Sequence, residues 1–127
     1  VSPTNKIYII TSDMDYLQLA DEITIPTNLK YNSLQDSKQS FKDSKKDLFC
    51  KIVMGDKSDC IPAVFNKCGI KTAEKYFKNQ ILFQQKLEAD DAAMERYKLN
   101  KTLIDFNNIP KQYVKEFNSG KYTEKLV

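Results

Sequence analysis

Residues 51–77, KIVMGDKSDCIPAVFNKCGIKTAEKYF, restrict the fold more than any other stretch of the chain. The apolar run from residue 47 to Met54 reads as a compact helix, and Gly55 suits its C-terminal stop because glycine takes the left-handed conformation at little cost. Asp56 and Asp59 follow three residues apart, and Pro62 lacks a backbone donor. Beyond Gly69, Ile70, Ala73 and Phe77 recur at helical spacing, while Lys71, Lys75 and Lys78 mark a different face. The stretch therefore requires helix, turn, loop and helix, with acids in the turn and lysines on the second helix.

At 127 residues the chain is one domain, or one small domain with an appended module. A net charge of +3 names no polyanionic partner, so the distribution of charge has to carry that argument. Residues 1–60 hold eight lysines against nine acids, whereas residues 61–87 hold five lysines against Glu74 alone. The basic field is local, and it follows the aspartate pair. Cys50, Cys60 and Cys68 form no close pair, and no histidine completes a zinc site, so buried reduced thiols are expected. Without histidine, acid–base chemistry falls to carboxylates, lysines, tyrosines or a metal. No run has the length of a membrane span and no signal sequence opens the chain, which predicts a cytoplasmic protein.

Read in order, residues 6–10 (KIYII) form a β-branched run expected to be a strand buried on both faces, as in a parallel sheet. Residues 12–20 read as a short helix and residues 22–26 (EITIP) as a second strand. This βαβ pattern would set Asp13 and Asp15 at the carboxyl edge of a sheet, where ligands bind in open α/β folds. Residues 27–46 are polar and predict a long loop. Helices are expected over residues 70–77, 81–87, from Asp90 or Asp91 to about Asn100, and from Pro110 to Phe117, with Gly120 closing the last.

Each aspartate pair has a plain explanation, Asp13 and Asp15 as first-turn residues of a helix and Asp56 and Asp59 as turn residues. Together they suggest more. If the helix ending at Met54 packs on the sheet edge, four carboxylates converge; without lysine or arginine partners they repel, and a divalent cation such as Mg²⁺ or Mn²⁺ compensates them. The chemistry suited to that arrangement is phosphoryl transfer.

At these residues the sequence resembles the structure-specific 5′ nucleases, the flap endonuclease and 5′-3′ exonuclease superfamily. Ile9-Ile10-Thr11-Ser12-Asp13-Met14-Asp15-Tyr16-Leu17-Gln18-Leu19 is similar to that family's strand with its Asp-x-Asp and Leu-x-Gln-Leu element. Gly55-Asp56-Lys57-Ser58-Asp59-Cys60-Ile61-Pro62 is similar to its Gly-Asp-x-Ser-Asp-x-Ile-Pro motif, and Gly69-Ile70-Lys71-Thr72-Ala73 to the end of its helix-three-turn-helix. Glu95-Arg96-Tyr97-Lys98, Leu103-Ile104-Asp105-Phe106 and Ile109-Pro110 resemble the C-terminal region of the T-even phage RNase H branch. Ala63 stands where the family commonly has glycine, and Lys67-Cys68-Gly69 where it has Gly-Ile-Gly.

The resemblance implies an α/β fold, the C-terminal part of a PIN-like parallel-sheet catalytic domain over residues 1–60, then a helical helix-three-turn-helix DNA-binding region over 61–127. It implies that Asp13, Asp15, Asp56 and Asp59 are catalytic metal ligands, with two Mg²⁺ or Mn²⁺ ions per complete site and K⁺ at the helix-three-turn-helix. It implies that Lys67, Gly69, Ile70, Lys71, Thr72 and Lys75 grip the backbone of duplex DNA or an RNA/DNA hybrid bearing a 5′ end or flap. The expected activity is primer or flap removal in replication or repair, in a phage-infected cell and beside replication proteins. The family's first half, with its further carboxylates and threading arch, is not in this sequence, so activity of the chain alone is an open expectation. The alternative is a duplex-binding module that does not cut.

Overall fold

The computed structural model describes residues 9–19 and 36–120. Among them a 3-10 turn, Met14–Leu19, precedes five α-helices: α1 (Ser44–Met54), α2 (Ile70–Lys78), α3 (Gln80–Glu88), α4 (Asp91–Ile104) and α5 (Lys111–Asn118). A further 3-10 turn, Phe106–Asn108, joins α4 to α5.

The helix ends follow local chemistry. Asp43 caps α1 by accepting the Lys45 and Lys46 amides, Asn79 caps α3 through Leu82, and Asp90 caps α4 through Ala93. α1 starts three residues before the predicted position because Asp43 is the cap. Asp47 is instead buried in the first turn, where its carboxylate accepts the Ser40 hydroxyl at 2.9 Å and the Phe41 amide at 2.8 Å.

The α/β expectation is corrected. The described residues contain no strand and no sheet; their single β pairing is an isolated antiparallel bridge between Asp56 and Ile61. Of the strand expected over residues 6–10, Ile9 and Ile10 are described, and Ile10 is 75% exposed rather than buried. The second expected strand, residues 22–26, lies outside the described residues. A run of β-branched residues becomes a strand only where another strand satisfies its backbone. The described part is a small helical domain.

Its core is one cluster of Cys50 and Val53 from α1, Val64 and Cys68 from the following loop, Ala73 from α2, Phe83 and Leu87 from α3 and Ala93 from α4. This cluster crosses position 60 without a break. Phe83 is the aromatic hub, with ring centroids 5.0 Å from Phe49, 5.6 Å from Tyr76 and 5.2 Å from Tyr97. Within the predicted α2 stripe Ala73 is fully buried, but Ile70 is 44% exposed because α2 begins beyond the edge of the core. Cys50 and Cys68 are buried, and burial pushes the Cys50 thiol up to about 11 and Cys68 upward as well. Cys60 departs from the expectation: it is exposed, on a turn at φ +58°.

Gly55 is fixed by its surroundings. It sits at φ +73°, and a Cβ there would lie 2.6 Å from the Pro62 carbonyl and closer still to the Ile61 oxygen. Gly69 differs, since a Cβ would meet nothing within 4 Å. Gly55→Ala should therefore lose about 3 kcal/mol or more in urea unfolding, from backbone strain and collision, whereas Gly69→Ala should unfold close to the wild type.

Lys46 on α1 pairs with Glu74 on α2 at 2.7 Å, which ties the two helices. The shared hydrogen bond raises Lys46 above its usual value and holds Glu74 below its own. Glu74 contributes stability above its unfolded value of about 4.5 and loses it as pH falls through its lower folded value. Lys46 contributes below 10.5 and loses it as pH rises through its higher folded value. The stability difference between wild type and Glu74→Gln should thus be flat between these limits and shrink on either side, as followed by thermal melts across pH.

Candidate functional site

The first aspartate pair opens the 3-10 turn. Thr11 Oγ1 accepts the Asp13 amide at 3.0 Å, and Asp13 Oδ1 accepts the Asp15 amide at 2.9 Å. Asp13 is exposed and shapes the turn, which is the local role its position suggests. Gln18 then anchors the turn at long range. Its amide nitrogen donates to the Asp15 carbonyl at 2.9 Å and the Ile104 carbonyl at 3.0 Å, while its oxygen accepts the Phe106 amide at 2.9 Å. Tyr16 meets the Phe106 ring edge-on at 5.4 Å.

The second pair lies in the loop that Gly55 begins. Asp56 and Ile61 exchange backbone hydrogen bonds at 2.9 and 2.8 Å, closing residues 57–60 into a turn. Asp56 Oδ1 accepts both the amide and the hydroxyl of Ser58, at 3.0 and 2.5 Å. Asp59 stands exposed on that turn. Two side chains of α4 hold the loop from behind. Asn100, fully buried, donates from its amide to the Ile52 carbonyl at 3.0 Å and the Pro62 carbonyl at 2.7 Å, and Arg96 Nε donates to the Val64 carbonyl at 2.8 Å.

Through these anchors Asp15 and Asp56 converge, and what they converge on is Lys51. Its ammonium contacts Asp15 Oδ1 and lies 3.2 Å from Asp56 Oδ2. Burial works against the Lys51 charge, but the hydrogen bonds and charges of Asp15 and then Asp56 outweigh it, so Lys51 titrates above its usual range. The Ser58 hydroxyl, followed against burial by the Lys51 ammonium, holds Asp56 below the usual carboxylate range.

The expected convergence of four unpartnered carboxylates is thus corrected. Asp15 and Asp56 share one cation, Asp13 and Asp59 do not join them, and no three acidic or cysteine side chains among the described residues stand close enough to share a metal. The compensating cation is the protein's own lysine. The pair nevertheless fits a divalent ion in kind: two carboxylate oxygens already share one cation position, and Mg²⁺ commonly takes one or two carboxylates with water and phosphate filling the rest.

The basic element lies beside this triad. A pocket of about 520 Å³ is lined by Asp15, Lys51 and Asp56 and also by Gly69 and Ile70 at the start of α2. No side chain caps α2 at Gly69, so its first amides and its dipole are available to an anion. Lys67, at φ +55°, with Lys71 and Lys75, is exposed around that end, and Thr72 is half-buried. Of the candidate handle, Gly69 and Ile70 share this pocket with the candidate cation position.

Sequence reasoning missed Lys51, Gln18, Arg96 and Asn100. For the last two a signal was present: Arg96, Asn100 and Ile104 repeat every four residues, which places two polar side chains on the buried stripe of α4. For Lys51 nothing in the sequence paired it with Asp15. Asn100→Ala should lower stability by about 2–4 kcal/mol in urea unfolding, because two carbonyls lose their donor and a cavity opens. No protein-family model, curated protein or solved structure matches the chain.

Proposed function

We propose that this chain is the C-terminal portion of a metal-dependent, structure-specific 5′-3′ exonuclease or flap endonuclease, contributing carboxylates to its cation site and gripping the duplex beside it. The observation that carries the reading is the meeting of Asp15 and Asp56, from two separate motifs, at one cation position that shares a pocket with the uncapped start of α2.

In this reading Asp15 and Asp56 would hold a divalent ion. A divalent ion bound there supplies charge neutralisation at a phosphate and an activated water. The chain's own residues orient the substrate. The first amides of α2 donate to a phosphate oxygen, Lys67, Lys71 and Lys75 offset backbone charge, and neither contact reads a base. Gly69 leaves open space at that end, so a sugar-phosphate backbone can approach closely. Turnover needs the further carboxylates and the arch that the superfamily carries in its first half.

A second reading, a duplex-binding module without catalysis, is favoured by one observation: Lys51 already pairs with both acids. Both readings require nucleic-acid affinity. Fluorescence anisotropy with a 5′-flapped duplex should give binding that weakens with salt, with a log–log slope of about −3 for three phosphate contacts. Lys71→Glu with Lys75→Glu should weaken binding and flatten the slope by about 2. Absence of affinity at low salt would sink both readings. To separate them, Asp56→Asn in the complete enzyme should abolish cleavage and leave duplex affinity within about twofold; unchanged cleavage would remove the metal assignment.

A further inference from the structure

We propose that the Lys51 ammonium is the resident cation of the Asp15–Asp56 pair, and that a divalent ion enters only by displacing it. The inference rests on the reading of those carboxylates as cation ligands and adds an occupant that competes for them.

Three features of the structure lead there. First, Lys51 Nζ directs its hydrogen-bonding capacity at the two oxygens an ion would use, Asp15 Oδ1 and Asp56 Oδ2. Mg²⁺ binds carboxylate oxygens at about 2.1 Å, so an ammonium and a metal cannot occupy the gap together. Second, Asp15 Oδ1 is buried from solvent with the ammonium against it, so an entering ion cannot reach that oxygen while the ammonium stays. The exchange has to be cation for cation. Third, the Lys51 backbone is fixed while its side chain lies beside open space. Its carbonyl accepts the Gly55 amide at 2.9 Å at the end of α1, and its stem borders the pocket of about 520 Å³. The four-carbon stem can swing into that space without moving the helix.

The exchange leaves the two carboxylates facing a cation in either state. With Lys51 in place one positive charge faces two carboxylates; with a divalent ion in place two positive charges do, and the ammonium lies in the pocket near any phosphate there. The pair is never left without a cation. Lys51 also sets a threshold, since an ion has to out-compete a tethered ammonium before it binds.

Isothermal titration of Mn²⁺ into the 127-residue chain tests this directly. Lys51→Met should bind Mn²⁺ at least tenfold more tightly than the wild type, because a like charge has left the position, and adding Asp15→Asn should remove the gain. Equal or weaker binding by Lys51→Met, or no binding by either protein, would overturn the proposal. Since the variant leaves two carboxylates facing each other and can lose its fold, a second measurement uses the unaltered protein. Acylation of Lys51 by an amine-reactive ester, read by peptide mass spectrometry, should accelerate severalfold in millimolar Mn²⁺, while Lys46, paired with Glu74, stays unchanged. A Lys51 rate indifferent to Mn²⁺ would equally overturn it. Neither readout contains nucleic acid, so failure here is distinct from failure of the duplex-binding experiments.

Discussion

The buried amide of Asn100 is the contact on which the arrangement of this domain depends. From the middle of α4 it donates to the Ile52 carbonyl near the end of α1 and to the Pro62 carbonyl beyond the Asp56 turn. Those carbonyls are acceptors that the helix end and the turn leave unpaired, and burying them without a donor costs about 1–3 kcal/mol each. The same amide leaves its own oxygen without a partner among the described residues, a cost the fold accepts. With Gly55 allowing α1 to stop against Ile61 and Pro62, Asn100 fixes where Asp56 stands.

α4 acts as a ruler for the whole site. Arg96 and Asn100 hold the Asp56 loop, and the Ile104 carbonyl with the Phe106 amide holds Gln18 and therefore the Asp15 turn. Eight residues of helix separate Arg96 from Ile104, about 12 Å at 1.5 Å per residue. One rigid element thus sets the separation of two loops that are remote in sequence. The Phe83 hub and the Lys46–Glu74 pair bind α2 to the same body. The lysine-bearing helix consequently keeps its position relative to the acidic pair.

The electrostatics explain why the acids do not gather as four. A carboxylate held off water needs hydrogen bonds or an opposite charge. Asp13 and Asp59 remain exposed, and Asp13 accepts the Asp15 amide. Asp15 and Asp56 are the partly buried ones, and each is brought to Lys51. A lysine can fill this role where an arginine would fit less readily, because a compact ammonium on a flexible stem behaves as a point charge and can withdraw.

What the sequence determined by itself was local: the stop at Gly55, the helix start at Asp90, the last helix between Pro110 and Gly120, and the lysine face of α2. These follow from propensity, capping and periodicity within a few residues, which a single chain displays openly. The sheet expectation failed because a strand needs a partner strand, and Ile9 and Ile10 do not show one. Ile70 fits the apolar spacing of α2 yet is exposed, since burial depends on where the core ends. The pairing of Lys51 with Asp15 and Asp56, and the grip of Asn100 and Gln18 on distant carbonyls, were decided only in the tertiary structure. They join positions separated by dozens of residues, and hydrogen bonds of that kind are specified by geometry that no local pattern encodes.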